Sequence, residues 1–221
     1  MTHQAIPEIV TVIGESYCQP IADLLGRLLS RTRVAGDDAS AGYYENGYSV
    51  SIVILLVALL ESYVARLRYL RSAGSAVAGK SVPDALLTWF PALPNHDALR
   101  EVFLLRNVIL HNHIWELDVR LRDEGTVAAM RSPLDLNFQV NQYYDAVVDK
   151  STRRTKLLGL SMNPVGVDRS DIHKVFDVVF ATLTFLQRKE PGLAFRPDES
   201  FGYLGKRTKF ADLLAVVKNA L

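Results

Sequence analysis

The stretch Leu104-Leu105-Arg106-Asn107-Val108-Ile109-Leu110-His111-Asn112-His113-Ile114-Trp115-Glu116 sets a guanidinium, an amide and two imidazoles into an apolar run. Burying such groups unpaired costs about 2–7 kcal/mol each on transfer scales, so their presence answers to a packing network or to chemistry. At about 100° per residue, Asn107 and His111 lie one turn apart on one face, while Arg106 and His113, seven apart, share the neighbouring stripe. Val102, Phe103, Leu105, Val108, Ile109, Leu110, Ile114 and Leu117 cover most of the remaining circumference, which predicts a helix in the middle of a bundle. Asn95 is its expected cap, and Gly125 its expected stop after Asp123.

Working outward, apolar residues from Ile6 to Arg31, among them Ile9, Val12, Ile21, Leu24, Leu25 and Leu28, recur at helical spacing with an interruption expected near Pro20. Arg33 to Gly47 is a loop by composition. Its Tyr43 and Tyr44, with Tyr48, either cover the core or stack on a base, and covering is the expected role. Ser49 is the predicted cap of a second helix to Arg71, whose run from Val50 to Leu60 reads as buried, being shorter than the ~20 residues of a membrane span. Glu61, Arg66, Arg68 and Arg71 follow on this helix as a polar end, either a solvated face or an RNA-backbone contact.

Ser81-Val82-Pro83-Asp84 predicts the start of a short helix ending against Pro91. After Pro133 the pattern changes: apolar stretches on either side of Asp149-Lys150-Ser151-Thr152-Arg153-Arg154 predict a β-hairpin within residues 135–163, with Arg153, Arg154 and Lys156 near its tip as a solvated turn or a phosphate contact. Ser170 begins another helix, closed by Pro191-Gly192, and a last one is expected from Thr208 to Leu221. The expected architecture is all-α, a helical bundle with a small β-hairpin insertion. It forms a single domain over 1–221, with 133–165 as insertion and 199–221 as a C-terminal helix extension.

Composition sets the class. With 221 residues, 49% hydrophobic and 22% charged, the chain can bury a sizeable core. A net charge of +1 gives no global field that would announce nucleic acid, although 17 of the 25 basic residues are arginine, the side chain suited to bidentate phosphate contact. The single cysteine, Cys18, excludes an intramolecular disulfide. The N-terminal residues lack a basic segment followed by an apolar one, so no signal peptide, no membrane association and a cytoplasmic location are expected.

At Arg106-Asn107 and His111 the chain resembles the HEPN domain family, whose R-x4-H signature, with a polar residue directly after the arginine, forms a metal-independent ribonuclease site. Two fixed positions and one preferred position carry the likeness, supported by the mid-helix location and by a preceding apolar helix that bears Glu61. The resemblance implies up-and-down helices, RNA as substrate and a homodimer whose two motif helices line one cleft. It also implies that Glu61 approaches Arg106 and orients it; a solvated glutamate where its helix leaves the core is the other reading. Many toxins of this family that pair with a nucleotidyltransferase antitoxin carry a modified tyrosine two residues after the motif histidine. Here His113 stands at that position, so an antitoxin protein as partner would not act through that modification. His113 is a second proton carrier or a structural histidine.

The chemistry suits these residue types. RNA carries its own nucleophile, the ribose 2′-hydroxyl, and needs only a base for its proton, an acid for the departing 5′ oxygen and positive charge for the phosphorane. Imidazole, with an ordinary pKa of about 6.5, exchanges protons near neutrality, the role open to His111. A guanidinium stays charged and braces a phosphate, the role open to Arg106. Asn107 holds the phosphate or the imidazole. One histidine cannot face both oxygens, so base and acid are split between two copies of His111, or water replaces one. No cofactor and no metal are expected: His111 and His113 point about 200° apart on a helix and do not chelate one ion. The string His111-Asn112-His113 lacks the dispersed layout of metal-finger nucleases.

Three readings follow: a toxin- or defence-type endoribonuclease acting through Arg106, Asn107 and His111, with Glu61 and His113 in support and Arg66, Arg153 and Arg154 contacting RNA; a non-catalytic HEPN-like module binding RNA or protein, its motif a structural polar network; and an unrelated bundle in which Arg106 pairs with Glu61 or Glu116.

Overall fold

The computed structural model describes residues 13–32, 41–71, 77–111, 116–118, 129–131, 142–149 and 151–221. Its helices are α1 (Cys18–Leu29), α2 (Tyr43–Leu70), α3 (Val82–Trp89), α4 (His96–His111), α5 (Gln142–Val147), α6 (Arg169–Lys189) and α7 (Phe210–Lys218). Among the described residues, three antiparallel strand pairs lie between them: β1 (Glu116–Asp118) with β2 (Ala129–Arg131), β3 (Val148–Asp149) with β4 (Arg154–Thr155), and β5 (Ser200–Tyr203) with β6 (Lys206–Lys209). The protein is mostly helical, with small hairpins at its margins.

The central element is α2, not the motif helix. Its fully buried Ile52, Val53, Leu56, Val57, Leu59 and Leu60 sweep about 160° of the circumference, wider than the single stripe of a surface helix. It packs against α1, α3, α4 and α6. At 28 residues α2 is long and apolar enough to cross a membrane by length and composition; half of its most apolar window is buried inside the fold. It begins at Tyr43, six residues before the expected cap Ser49, because Gly42 takes φ 83° and lets the chain turn into the helix. Its first turn is also tied down. Glu45, buried, accepts from the Arg169 backbone N–H at 3.0 Å, from Nε at 2.8 Å and from Nη2 at 2.6 Å. Asn46 Nδ2 donates to the Pro164 carbonyl at 2.6 Å.

Pro20 does not interrupt α1. It is the third helical residue, where the backbone N–H has no partner to lose. The break comes earlier, as a 3-10 turn at Gly14–Tyr17. Glycine suits the close approach there, since a Cβ at Gly14 would stand 3.1 Å from the Leu59 carbonyl and from the Tyr63 ring and the neighbours would have to give. Ile9 and Val12 lie outside the described residues.

Three further expectations are corrected. The motif helix, described to His111, does not run to Asp123, since Glu116–Asp118 is a strand paired with Ala129–Arg131; Asn112 to Trp115 lie outside the described residues. The hairpin around residue 150 shrinks to two-residue strands, and Gln142–Val147, expected extended, is helical. Its turn is set by Asp149, whose Oδ1 accepts from Ser151 N–H at 2.8 Å and Oγ at 2.7 Å, bonds that hold its carboxyl below the ordinary range. The segment is no loose excursion: Tyr144, Val148, Leu160 and Met162 join the core. The C-terminal extension opens with a hairpin ahead of its helix, which starts at Phe210 against the expected Thr208; the hairpin turns at Leu204 (φ 46°) and Gly205 (φ 76°), the paired positive φ values of a primed two-residue turn. Gln19 on α1 clamps that hairpin by exchanging two bonds with Gly202, at 2.8 and 2.9 Å.

Other boundaries follow from capping. Ser81 Oγ accepts from the Asp84 N–H at 3.3 Å with proline in the first turn of α3. Asp168, not Ser170, caps α6 in a reciprocal box with Asp171. Asp171 is wholly buried and also accepts from the Ser161 N–H at 3.1 Å.

Burial pushes the Asp171 carboxyl up to about 6, against an ordinary value of about 3.9. Between these values the folded chain holds a proton that the unfolded chain has released, so stability from this residue is greatest below about pH 4 and declines by about 3 kcal/mol as pH rises through 6. Urea unfolding of the wild type and Asp171→Asn at about pH 4 and pH 6.5 checks this: the wild type should lose stability relative to the variant across that window.

Candidate functional site

The motif lies where α4 leaves the core. Ala98, Leu99, Val102 and Leu105 are buried, and beyond them Asn107 and His111 are exposed and Leu110 is 38% exposed. Arg106, on this emerging stretch, points to α2. Its Nη2 donates to Glu61 Oε1, and its Nη1 donates to Asn107 Oδ1 at 2.9 Å. The guanidinium carbon lies 5.4 Å from the centroid of the Phe103 ring, within cation–π range. The side chains of Arg106 and Glu61 are 21% and 37% exposed, so the pair sits at the rim of the α2–α4 contact, open to solvent.

Arg106 and His111 do not share a stripe. Five helical residues separate them by about 140° around the axis and 7.5 Å along it. Asn107 joins them by position: it bonds Arg106 and stands one turn before His111 on the same face. His113 lies outside the described residues. The structure therefore brings together Glu61, Arg106 and Asn107, with His111 exposed at the helix end.

Two of the three arginines expected on RNA have other partners. Arg66 Nε donates to the Gly192 carbonyl at 3.1 Å, fastening the turn after α6. Arg154 Nη1 donates to the Gly159 carbonyl at 2.9 Å and stands 3.9 Å from Asp171. Arg153 takes φ 53° in the hairpin turn, its side chain half-buried. Tyr43 and Tyr44 are 89% and 57% exposed and do not cover the core, whereas Tyr48 packs against it.

One residue of this helix escaped the sequence reading. Glu101 is 2% exposed, and its two oxygens accept from the Leu157 and Leu158 N–H groups at 2.9 and 2.7 Å. It thereby pins the 148–162 segment to the motif helix. The signal was present: Glu101 falls on the stripe of Ala98, Leu105 and Val108, a carboxylate at a core position. Among the described residues no group of three His, Cys, Asp or Glu side chains is arranged to hold a metal ion. Cys18 is buried, and burial pushes its thiol up to about 12, removing the thiolate that reactivity requires.

Comparison with family models, with curated proteins and with solved structures finds no match for this chain.

Glu61 on α2 and Glu101 on α4 should respond to truncation to different degrees. Glu61→Ala removes a solvent-screened pair and should cost no more than about 1 kcal/mol in urea unfolding. Glu101→Ala orphans two backbone N–H groups in the interior and should cost about 2–4 kcal/mol.

Proposed function

We propose that the protein is a HEPN-like, metal-independent endoribonuclease of toxin or defence type, acting in the cytoplasm on RNA through attack of the 2′-hydroxyl. Arg106 braces the scissile phosphate, His111 moves the proton and Asn107 holds phosphate or imidazole. The reading rests on one observation: a guanidinium about one-fifth exposed, held by Glu61 and Asn107, with an exposed imidazole one turn beyond Asn107 on the same helix.

The pairing with Glu61 suits a positioning role for that carboxylate. A guanidinium has five N–H donors in a planar fork, and the Glu61 and Asn107 bonds use two of them. A phosphate approaching from solvent meets an arginine already oriented, which lowers the ordering cost of the contact. The offset between Arg106 and His111 suits a cleft built by two protomers, in which His111 of one chain serves the phosphate held by Arg106 of the other. A homodimer is thus part of the proposed mechanism. An antitoxin would act by covering this rim.

The second reading, a non-catalytic module, draws on the same bonds: Glu61, Arg106 and Asn107 satisfy one another within one chain. Cleavage of a mixed RNA pool in excess EDTA separates the two. The enzyme should leave 2′,3′-cyclic phosphate ends, and Arg106→Ala and His111→Ala, folded as judged by circular dichroism, should each lower the rate at least about a hundredfold. Absence of cleavage anywhere between about pH 6 and 8, where imidazole exchanges protons, would leave the module.

A further inference from the structure

The first two turns of α2 carry two choices that work against a stable surface helix. Tyr43 stands 89% exposed and Tyr44 57%, a large aromatic area left in water. Four residues on from Tyr43, Gly47 occupies the helix interior, where glycine weakens a helix relative to alanine. Packing does not require it: a Cβ at Gly47 would meet nothing within 4 Å. Tyr43, Gly47 and Ser51 fall on one stripe at helical spacing, with Tyr44 and Tyr48 on its flank, and together with Leu24 of α1 they line an open cavity of about 570 Å³. That volume lies in the range of small-molecule and cofactor sites, about 300–1,000 Å³. Locally unfavourable residues gathered on one open surface mark a site of function.

The charges around this surface favour an anion. The Arg31 guanidinium lies 4.3 Å from the centroid of the Tyr44 ring. A smaller adjoining cavity of about 370 Å³ is lined by Arg31, Tyr43, Tyr44, Glu45 and Arg169 among others. Its carboxylate, Glu45, is engaged by Arg169 through three hydrogen bonds. The pair cancels, and among the described lining residues Arg31 leaves a positive charge. Arg27 stands nearly one turn after Leu24 on α1 and is exposed, and Arg31 follows just past the end of that helix. Tyr43 and Tyr44 meet edge to face, with centroids 5.5 Å apart and planes at 82°. Arg31 stacks on Tyr44, and Tyr43 presents its ring to solvent.

We propose that this surface is a nucleotide-binding subsite of the protein, in which an unpaired base of single-stranded RNA stacks on Tyr43 over Gly47 and the adjacent phosphate meets Arg31. Every base has a π-face, so an aromatic platform beside a guanidinium binds strands with little sequence preference. The subsite extends the RNA reading to a second region of the molecule. Tyr44 and Glu61 are 17 residues apart on α2, about 25 Å along its axis. A strand bound at Tyr43 is therefore held apart from the phosphate at Arg106.

The test is fluorescence anisotropy of a labelled 2′-O-methyl oligouridylate, which lacks the nucleophile, titrated with the full chain, so that binding is read without cleavage. Tyr43→Ala and Arg31→Ala should each weaken binding at least about fivefold, and Tyr43→Phe, which keeps the ring, should stay within about twofold. Gly47→Ala should raise the melting temperature yet weaken binding, a split that a purely structural glycine would not produce. Uridine monophosphate competing as well as the oligomer would assign the subsite to free nucleotide. Binding unaffected by the tyrosine and glycine variants would overturn the subsite and leave the ribonuclease reading to its own end-group assay. So would absence of binding. A shift of Tyr43→Ala from dimer to monomer in sedimentation, with binding unchanged, would make the face a contact between copies and equally overturn the proposal.

Discussion

A helix of 28 residues whose middle, Val50 to Leu60, offers water only one polar side chain has to be covered along most of its length, and that demand organises this protein. α1 and α6 pack on α2, α4 and α3 cover more of it, and the 3-10 turn at Gly14–Tyr17 comes so close that a Cβ at Gly14 would stand 3.1 Å from the Leu59 carbonyl. Each partner helix needs only a stripe of its own, so their remaining faces are free to be polar. The residues with chemistry sit on those outward faces or at the ends of helices, never on the buried arc of α2.

Carboxylates at core positions hold the connections to this frame. Glu45, Glu101 and Asp171 are each buried, and each accepts hydrogen bonds from backbone N–H groups of a neighbouring segment. A buried carboxylate is costly unless its oxygens are filled, and here backbone donors of loops with few ladder bonds of their own fill them. The same bonds locate the loops. The start of α6 is fixed against the start of α2, and the 157–158 segment against α4, before any hydrophobic contact of those segments is counted. Glu61 is the exposed counterpart: it holds a side chain, Arg106, at the rim, and its solvent access makes the bond an orienting device more than a source of stability.

The helices were legible from their apolar periodicity, and the caps at Ser81 and the punctuation at Pro91 and Pro191 agree with the structure to within a residue. What misled was composition read without context. Gly42, Tyr43 and Gly47 look like loop, yet the helix extends through the tyrosine and the second glycine because Glu45 and Asn46 anchor it from α6 and the preceding turn. The sequence to Asp123 looks like continued helix, yet Glu116–Asp118 pairs as a strand with Ala129–Arg131. The Leu204-Gly205 turn carried a glycine signal, but its non-glycine partner at φ 46° has no mark in the sequence. At the site, Arg106, Asn107 and His111 were visible as polarity in an apolar run, Glu101 as a carboxylate on a core stripe; which of these groups faces another was not.

By itself the sequence determined the cores of the longer helices, that the middle of α2 must be buried and that polar groups interrupt α4, because periodicity and burial cost are properties of a dozen neighbouring residues. Only the tertiary structure decided that Arg106 meets Glu61 across 45 residues, that Glu101 reaches Leu157 across 56 and that Glu45 takes Arg169 across 124. A hydrogen bond is won or lost within a fraction of an ångström, and its partner is chosen by where the packed helices bring the chain, not by spacing along it.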